Sequence, residues 1–162
     1  MKIRGKVIKY GDDVNTDVII PSRYLVLIDP HELAKYAMAG LDKDFAKKVV
    51  DRQIIVVGRN FGCGSSREQA PVSLKYAGVK CVVAESFARI FYRNAINIGL
   101  PVLECPRVSS TIQDGDEVSI DLEKGTLNDL TNGAELKGLP TPEFLLKIME
   151  KGLVEYVKEM KR

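Results

Sequence analysis

Gln53-Ile54-Ile55-Val56-Val57-Gly58, continued after Arg59 by Asn60-Phe61-Gly62-Cys63-Gly64-Ser65-Ser66-Arg67-Glu68, is the stretch that decides how this sequence folds. The first part is a short, β-branched apolar run bounded by glycine, which reads as a buried strand. From Glu68 to Ala77 the residues are good helix formers, and Gly78 ends them, so the whole reads as strand, tight loop, helix. In that setting the free N–H groups and the positive dipole end of a helix face whatever the loop binds, and Arg67 can grip a carboxylate with two parallel hydrogen bonds. The loop is a candidate carboxylate-binding site.

Working outward, Lys2 to Tyr10 alternates as a first strand, and the polar turn Gly11 to Asp17 leads into apolar Val18-Ile19-Ile20-Pro21. Asp29-Pro30-His31-Glu32 announces a helix, with Asp29 as N-cap, Pro30 in first position and Glu32 at capping-box spacing; it is expected to stop near Gly40. Beyond the central loop, Val79 to Ala84 reads as a strand, Phe87 to Ile98 as a helix closed by Gly99, and Leu100 to Glu104 as a strand. Strands alternating with helices imply an α/β fold with a partly parallel sheet. After Pro106 the pattern changes to a β-hairpin, Glu117 to Asp121 and Thr126 to Leu130, expected as an appendage. A C-terminal helix opens at Thr141-Pro142-Glu143, with Phe144, Leu145, Ile148 and Met149 at helical spacing and an interruption at Gly152 before Leu153, Tyr156 and Val157.

At 162 residues, and with no linker-like stretch, the chain is expected to form one domain over 1–162. A net charge of +2 with scattered basic residues leaves no electrostatic footprint for nucleic acid. The N-terminus lacks the apolar core of a signal peptide and no run approaches the ~20 apolar residues of a membrane span, so a cytoplasmic chain is expected. Cys63, Cys81 and Cys105 lie 18 and 24 residues apart, which fits neither a zinc pattern nor a disulfide framework, and no metal site is expected here. Cys81 and Cys105 sit in strand-like runs as buried hydrophobes, whereas Cys63 lies inside the glycine loop.

His31 is the only histidine and lies far along the chain from Ser65, which removes a Ser-His-Asp triad and with it a stand-alone esterase. The loop has neither the third glycine nor the Gly-Lys-Ser/Thr ending of the phosphate-binding loops. Two readings of the serines stay open. One of them could serve as a base if N–H donors and a guanidinium stabilise its alkoxide, or both could simply cap the following helix.

Phe61 to Glu68, followed by Ser86-Phe87-Ala88-Arg89-Ile90-Phe91 and preceded by Asp12-Asp13-Val14-Asn15-Thr16-Asp17-Val18-Ile19-Ile20-Pro21, resembles the swivelling domain of the aconitase superfamily. The resemblance covers the whole chain as a free-standing small subunit of the isopropylmalate isomerase and homoaconitase kind. It implies a three-layer β/β/α domain and a dehydration followed by rehydration that moves a hydroxyl between adjacent carbons. It also implies a large subunit carrying a 4Fe-4S cluster whose iron acts as Lewis acid, with no cluster on this chain. By the same resemblance Ser65 is the base, Ser66 and Arg67 bind the substrate carboxylate, Asp12, Asn15, Thr16 and Asp17 form the first motif, and Arg89 and Asn94 support the loop. Tyr24, Leu25, Val26 and Leu27, with Ile28, are expected to face the variable end of a di- or tricarboxylate. Where a third carboxylate calls for an arginine this chain has Val26, favouring the isopropyl group of an intermediate of leucine biosynthesis over homocitrate or citrate, with Arg23 adjacent. Homoaconitase, a methylmalate or citraconate hydratase, and a non-catalytic scaffold or homo-oligomer are the alternatives.

Overall fold

A computed structural model describes all of residues 1–162. Seven strands run in the spatial order β4-β3-β2-β1-β5-β6-β7. The first, β1 (Lys2–Lys9), is shared between two kinds of pairing: Val7–Lys9 pair in parallel with β2 (Ile54–Val57), and Lys2–Lys6 pair antiparallel with β5 (Glu117–Asp121). On one side β3 (Cys81–Ala84) and β4 (Val102–Glu104) continue the parallel order. On the other, β6 (Thr126–Asp129) and β7 (Glu135–Lys137) continue the antiparallel one. The expected hairpin is therefore joined to the sheet through β1 and carries a third strand, β7, too short and polar to stand out in the sequence.

Every step β1→β2→β3→β4 moves one place in the same direction, so right-handed crossovers put the connecting helices on one face. These are α1 (Thr16–Ile19), α2 (Pro30–Ala34), α3 (Phe45–Lys48), α4 (Gln69–Ala77) and α5 (Arg89–Asn97). All four residues of β2 and all four of β3 are buried, which requires cover on both faces. The second cover is the curl of the sheet itself, together with α6 (Val108–Thr111), which packs against β2 and β3. Val118, Ile120, Leu122 and Leu127 of the antiparallel part share one core with the parallel strands. The two sheet edges meet where the Leu139 N–H donates to the Glu104 carbonyl across 2.9 Å. This gives the β/β/α layering that the sequence resemblance implies. Two C-terminal helices, α7 (Glu143–Lys151) and α8 (Leu153–Met160), break at Gly152, whose φ of +84° is left-handed. No helix is long and apolar enough to cross a membrane.

The helix beginning at Pro30 is shorter than the sequence suggests. It ends at Ala34 and the chain continues in turns, because Met38 is left-handed (φ +60°) and the N–H groups of Met38 and Gly40 bond to the carbonyls of Ile19 and Val18. Asp29 caps it by accepting from the His31 N–H (2.9 Å), but Glu32 is drawn to Lys35 Nζ (3.0 Å), so no reciprocal capping box forms.

Gly138 sits where the sheet edges close, and a Cβ there would overlap the Glu104 carbonyl oxygen. Gly138→Ala is expected to lower stability by about 1–3 kcal/mol through overpacking, read as a reduced urea midpoint with an unchanged m-value.

Candidate active site

Parallel pairing does not stop at the ends of the strands. Asn15, beyond β1, bridges to Cys63, beyond β2, and Phe61 bridges to Phe87, beyond β3. The segment Asp12–Thr16 runs beside the glycine loop through three bonds: Asp13 N–H to Arg59 O (2.8 Å), Gly62 N–H to Val14 O (2.8 Å) and Thr16 N–H to Cys63 O (2.8 Å). Side chains finish the attachment. Asp12 Oδ1 accepts from the Arg59 N–H (2.7 Å), Thr16 Oγ1 donates to the Ser65 carbonyl (2.8 Å), and Ser86 Oγ accepts from the Asn60 N–H (2.8 Å). Asn15 points elsewhere and caps α1 by accepting from the Val18 N–H (3.1 Å).

Gly62 and Gly64 adopt φ of +83° and +95°. Gly62 also lies directly on Phe91 of α5, where any Cβ would overlap the ring. The turn they make leaves the N–H groups of Gly64, Ser65, Ser66 and Arg67 without an acceptor in the chain. Ser65 and Ser66 are exposed, and neither caps α4, which starts at Gln69 with Glu68 at its N-cap and no side-chain capping bond. Helix capping thus fails as an account of the serines. The start of α5 is likewise uncapped, with Ala88 in the N-cap position. The start of α5 flanks one cavity of about 190 Å³, lined by Thr16 and Ser65-Ser66-Arg67 on one wall and by Arg89 and Asn94 on the other. The field of the α5 N-terminus and two guanidiniums favour an anion in this cavity.

Arg67 is largely withdrawn from solvent. Its Nη1 donates to the Ile20 carbonyl (2.9 Å) and its Nη2 pairs with Asp17 (2.5 Å). Arg89 and Asn94, expected as supports of the loop, make no hydrogen bond to it; they line the cavity instead. His31 stacks edge-on against Tyr76 (5.2 Å between centroids) and is not among the cavity residues. The Tyr24–Ile28 segment is not brought into the serine cavity. Tyr24 stacks on Tyr36 (3.9 Å), Arg23 lies over the Tyr24 ring (4.6 Å), and Leu25, Leu27 and Ile28 line a separate groove with Glu68, Gln69 and Val72. Val26 and Ile28 are 81% and 95% exposed.

The cysteines do not form a cluster site. Cys81 and Cys105 are buried and Cys63 is apart from them, with no group of three or more His, Cys, Asp or Glu side chains placed to hold a metal ion. Burial pushes the Cys81 thiol far up, and burial with the nearby Glu85 charge pushes Cys105 up to about 11, so both stay protonated. An iron–sulfur group does not fit the residues of this chain.

Sequence reasoning did not foresee Ser86 as the clamp on Asn60, Phe91 as the floor under Gly62, or the Ile20 carbonyl as a partner of Arg67. Each is a contact between residues distant in sequence. The only prior signal was the serine–phenylalanine–alanine–arginine run at 86–89.

The geometry bears on comparisons with known proteins. A family model, the aconitase C-terminal domain, matches residues 29–108. The chain is 56% identical over 158 residues to the isopropylmalate/citramalate isomerase small subunit of Methanocaldococcus jannaschii, covering 97% of this chain and 94% of that one. It is 54% identical over 159 residues to the 3-isopropylmalate dehydratase small subunit of Ruminiclostridium cellulolyticum, covering 98% of each. It is also 54% identical over 158 residues to the 2,3-dimethylmalate dehydratase small subunit of Eubacterium barkeri, covering 97% of each. The crystal structure of a 3-isopropylmalate dehydratase from M. jannaschii superposes with a TM-score of 0.93 at 49% identity, over 99% of this chain and 96% of that one. With sequence, fold and full-length coverage in agreement, the chain belongs to the family of 3-isopropylmalate dehydratase small subunits, built on the aconitase C-terminal domain.

Proposed function

We propose that this chain is the small subunit of a 3-isopropylmalate dehydratase, a hydro-lyase that interconverts 2- and 3-isopropylmalate together with a large subunit. The observation that carries this is the anion cavity, in which two exposed, non-capping serines sit under unbonded N–H groups beside Arg67. The relatives at 54–56% identity support the substrate class, since the substrates in their names are malates bearing small alkyl groups.

In this reading Ser65 Oγ takes the proton from the carbon next to a substrate carboxylate. The C–H electron pair becomes the new double bond as hydroxide leaves the neighbouring carbon; hydroxide then adds to the carbon that lost the proton while Ser65 returns that proton to the carbon that lost hydroxide, which restores the alkoxide. An alkoxide is unfavourable in water, so its base strength depends on fixed donors. The backbone at Ser65 is held by Thr16, and the N–H groups of the loop around it have no acceptor within the chain. Arg67 binds carboxylate with a guanidinium already aligned by Asp17 and Ile20. Hydroxide departure is left to groups this chain lacks. The cluster would belong to the large subunit, and the cytoplasm is the proposed compartment.

The exposed apolar segment Leu25-Val26-Leu27 is proposed to meet the substrate's alkyl group once the large subunit closes over it. Each methylene buried there contributes about 0.8 kcal/mol, whereas an extra carboxylate would be left unpaired. The dimethylmalate relative favours a second reading, in which the same site takes a smaller alkylmalate.

In the assembled enzyme Ser65→Ala is expected to lower turnover by about 10²- to 10⁴-fold while co-elution with the large subunit on size exclusion is unchanged; near-normal turnover would remove Ser65 as base. Val26→Arg is expected to shift relative kcat/KM from isopropylmalate toward homoaconitate. An unaltered ratio would assign the segment to subunit packing.

A further inference from the structure

Two polar side chains of the cavity have no partner within the chain. Arg89 forms no ion pair or hydrogen bond, and the half-buried carboxamide of Asn94 makes none either, although both line the space in front of the serines. Across the cavity Arg67 is already committed: two of its nitrogens are engaged by Ile20 and Asp17, and its side chain is 15% exposed. The wall that carries Arg89 and Asn94 is rigidly placed. Phe91, between them on α5, is buried against Gly62 and stacks parallel to Phe87, with its ring edge-on to Phe61 at 5.0 Å. These contacts fix the distance between the two walls.

A malate-type substrate carries two carboxylates, and burying the second without a donor would cost several kcal/mol. We propose that Arg89 and Asn94 form the second carboxylate-binding wall of this site: the Arg89 guanidinium pairs with the carboxylate that Arg67 does not hold, and Asn94 Nδ2 donates to the same group. The inference rests on the function proposed above. It departs from a loop-supporting role for these residues, since neither is bonded to the loop. Arg89 also borders a second cavity of about 350 Å³ with Phe87, Tyr92, Arg93, Glu104 and Leu139, yet forms no salt bridge to Glu104 there. Arg93, which lines only that second cavity, is therefore the internal control.

The test uses the assembled two-subunit enzyme with Arg89→Gln, Arg89→Lys, Asn94→Ala, Arg93→Gln and Ser65→Ala. Isopropylmalate turnover, inhibition by a dicarboxylate analogue and by its two monomethyl esters, and large-subunit affinity are measured for each. Arg89→Gln is expected to lower kcat/KM by about 10- to 100-fold, mainly through KM. Lysine should restore part of the loss, and Asn94→Ala should show a smaller rise in KM. Wild type should bind the diacid more tightly than either ester, and Arg89→Gln should lose that preference for one ester only. Wild-type KM and ester discrimination in Arg89→Gln and Asn94→Ala, beside an inactive Ser65→Ala, would overturn the second wall and leave the function standing. An equal effect of Arg93→Gln, or a loss of large-subunit affinity in Arg89→Gln, would also overturn it. An active Ser65→Ala would strike the function itself.

Discussion

The backbone pairing of Asp12–Thr16 with the loop from Arg59 to Ser65 is the constraint on which the site depends. That loop contains three left-handed residues, Asn60, Gly62 and Gly64, and two of them are glycines with the largest conformational freedom to lose. Left alone it would sample many shapes. Three backbone bonds to the segment after β1, the clamp from Thr16 to the Ser65 carbonyl and the bridge from Phe61 to Phe87 reduce it to one. Both neighbours are themselves continuations of strands adjacent to β2, so the rigidity of the core extends past the sheet into the loop.

This explains why the site is where it is. In an open parallel sheet the carboxyl ends of the strands are where connecting loops gather and ligands bind. Here the loops after β1, β2 and β3 contribute, in order, Thr16 with Asp17, the serines with Arg67, and the wall beginning at Ala88. The antiparallel half supplies none of the groups lining the serine cavity. Its role is to bury the second face of β2 and β3, and the junction of Leu139 with Glu104 closes the curl that does so.

The parts of this arrangement visible in the sequence were those governed by local rules. The β-branched runs of β2 and β3 and the left-handed glycines at 78 and 99 marked strands and helix ends, and the element boundaries fell within a few residues. The loop was legible for the same reason, because closely spaced glycines followed by serines and arginine have few structural uses. Misreadings occurred where a distant partner overrode the local signal. The helix after Pro30 stopped early because Met38 and Gly40 bond back to α1, and Glu32 left the capping box for Lys35. Of the two roles open to the serines, capping is removed because the helix starts only at Gln69, past the turn set by Gly64. No local rule announces that Arg67 will meet the Ile20 carbonyl or that Arg89 and Asn94 will face the serines.

The open face of the cavity bears on why such a site would be divided between two chains. Ser65 and Ser66 stand in water here, where a serine hydroxyl is far too weak a base and an exposed guanidinium–carboxylate pair is worth little. The ion pair, and a hydrogen bond from a fixed N–H to an anionic oxygen, both strengthen as the effective dielectric falls. Closing the cavity with a second subunit would therefore do more than add reacting groups. It would raise the value of the donors this chain already holds in place, and it would bring the exposed Val26 and Ile28 against something other than solvent. Asp17, the more exposed partner of its pair with Arg67, neutralises a guanidinium that would otherwise stand uncompensated before assembly. Its presence lets the small subunit fold with a charged, largely buried arginine at the edge of its core while keeping that arginine pointed at the space a substrate would fill.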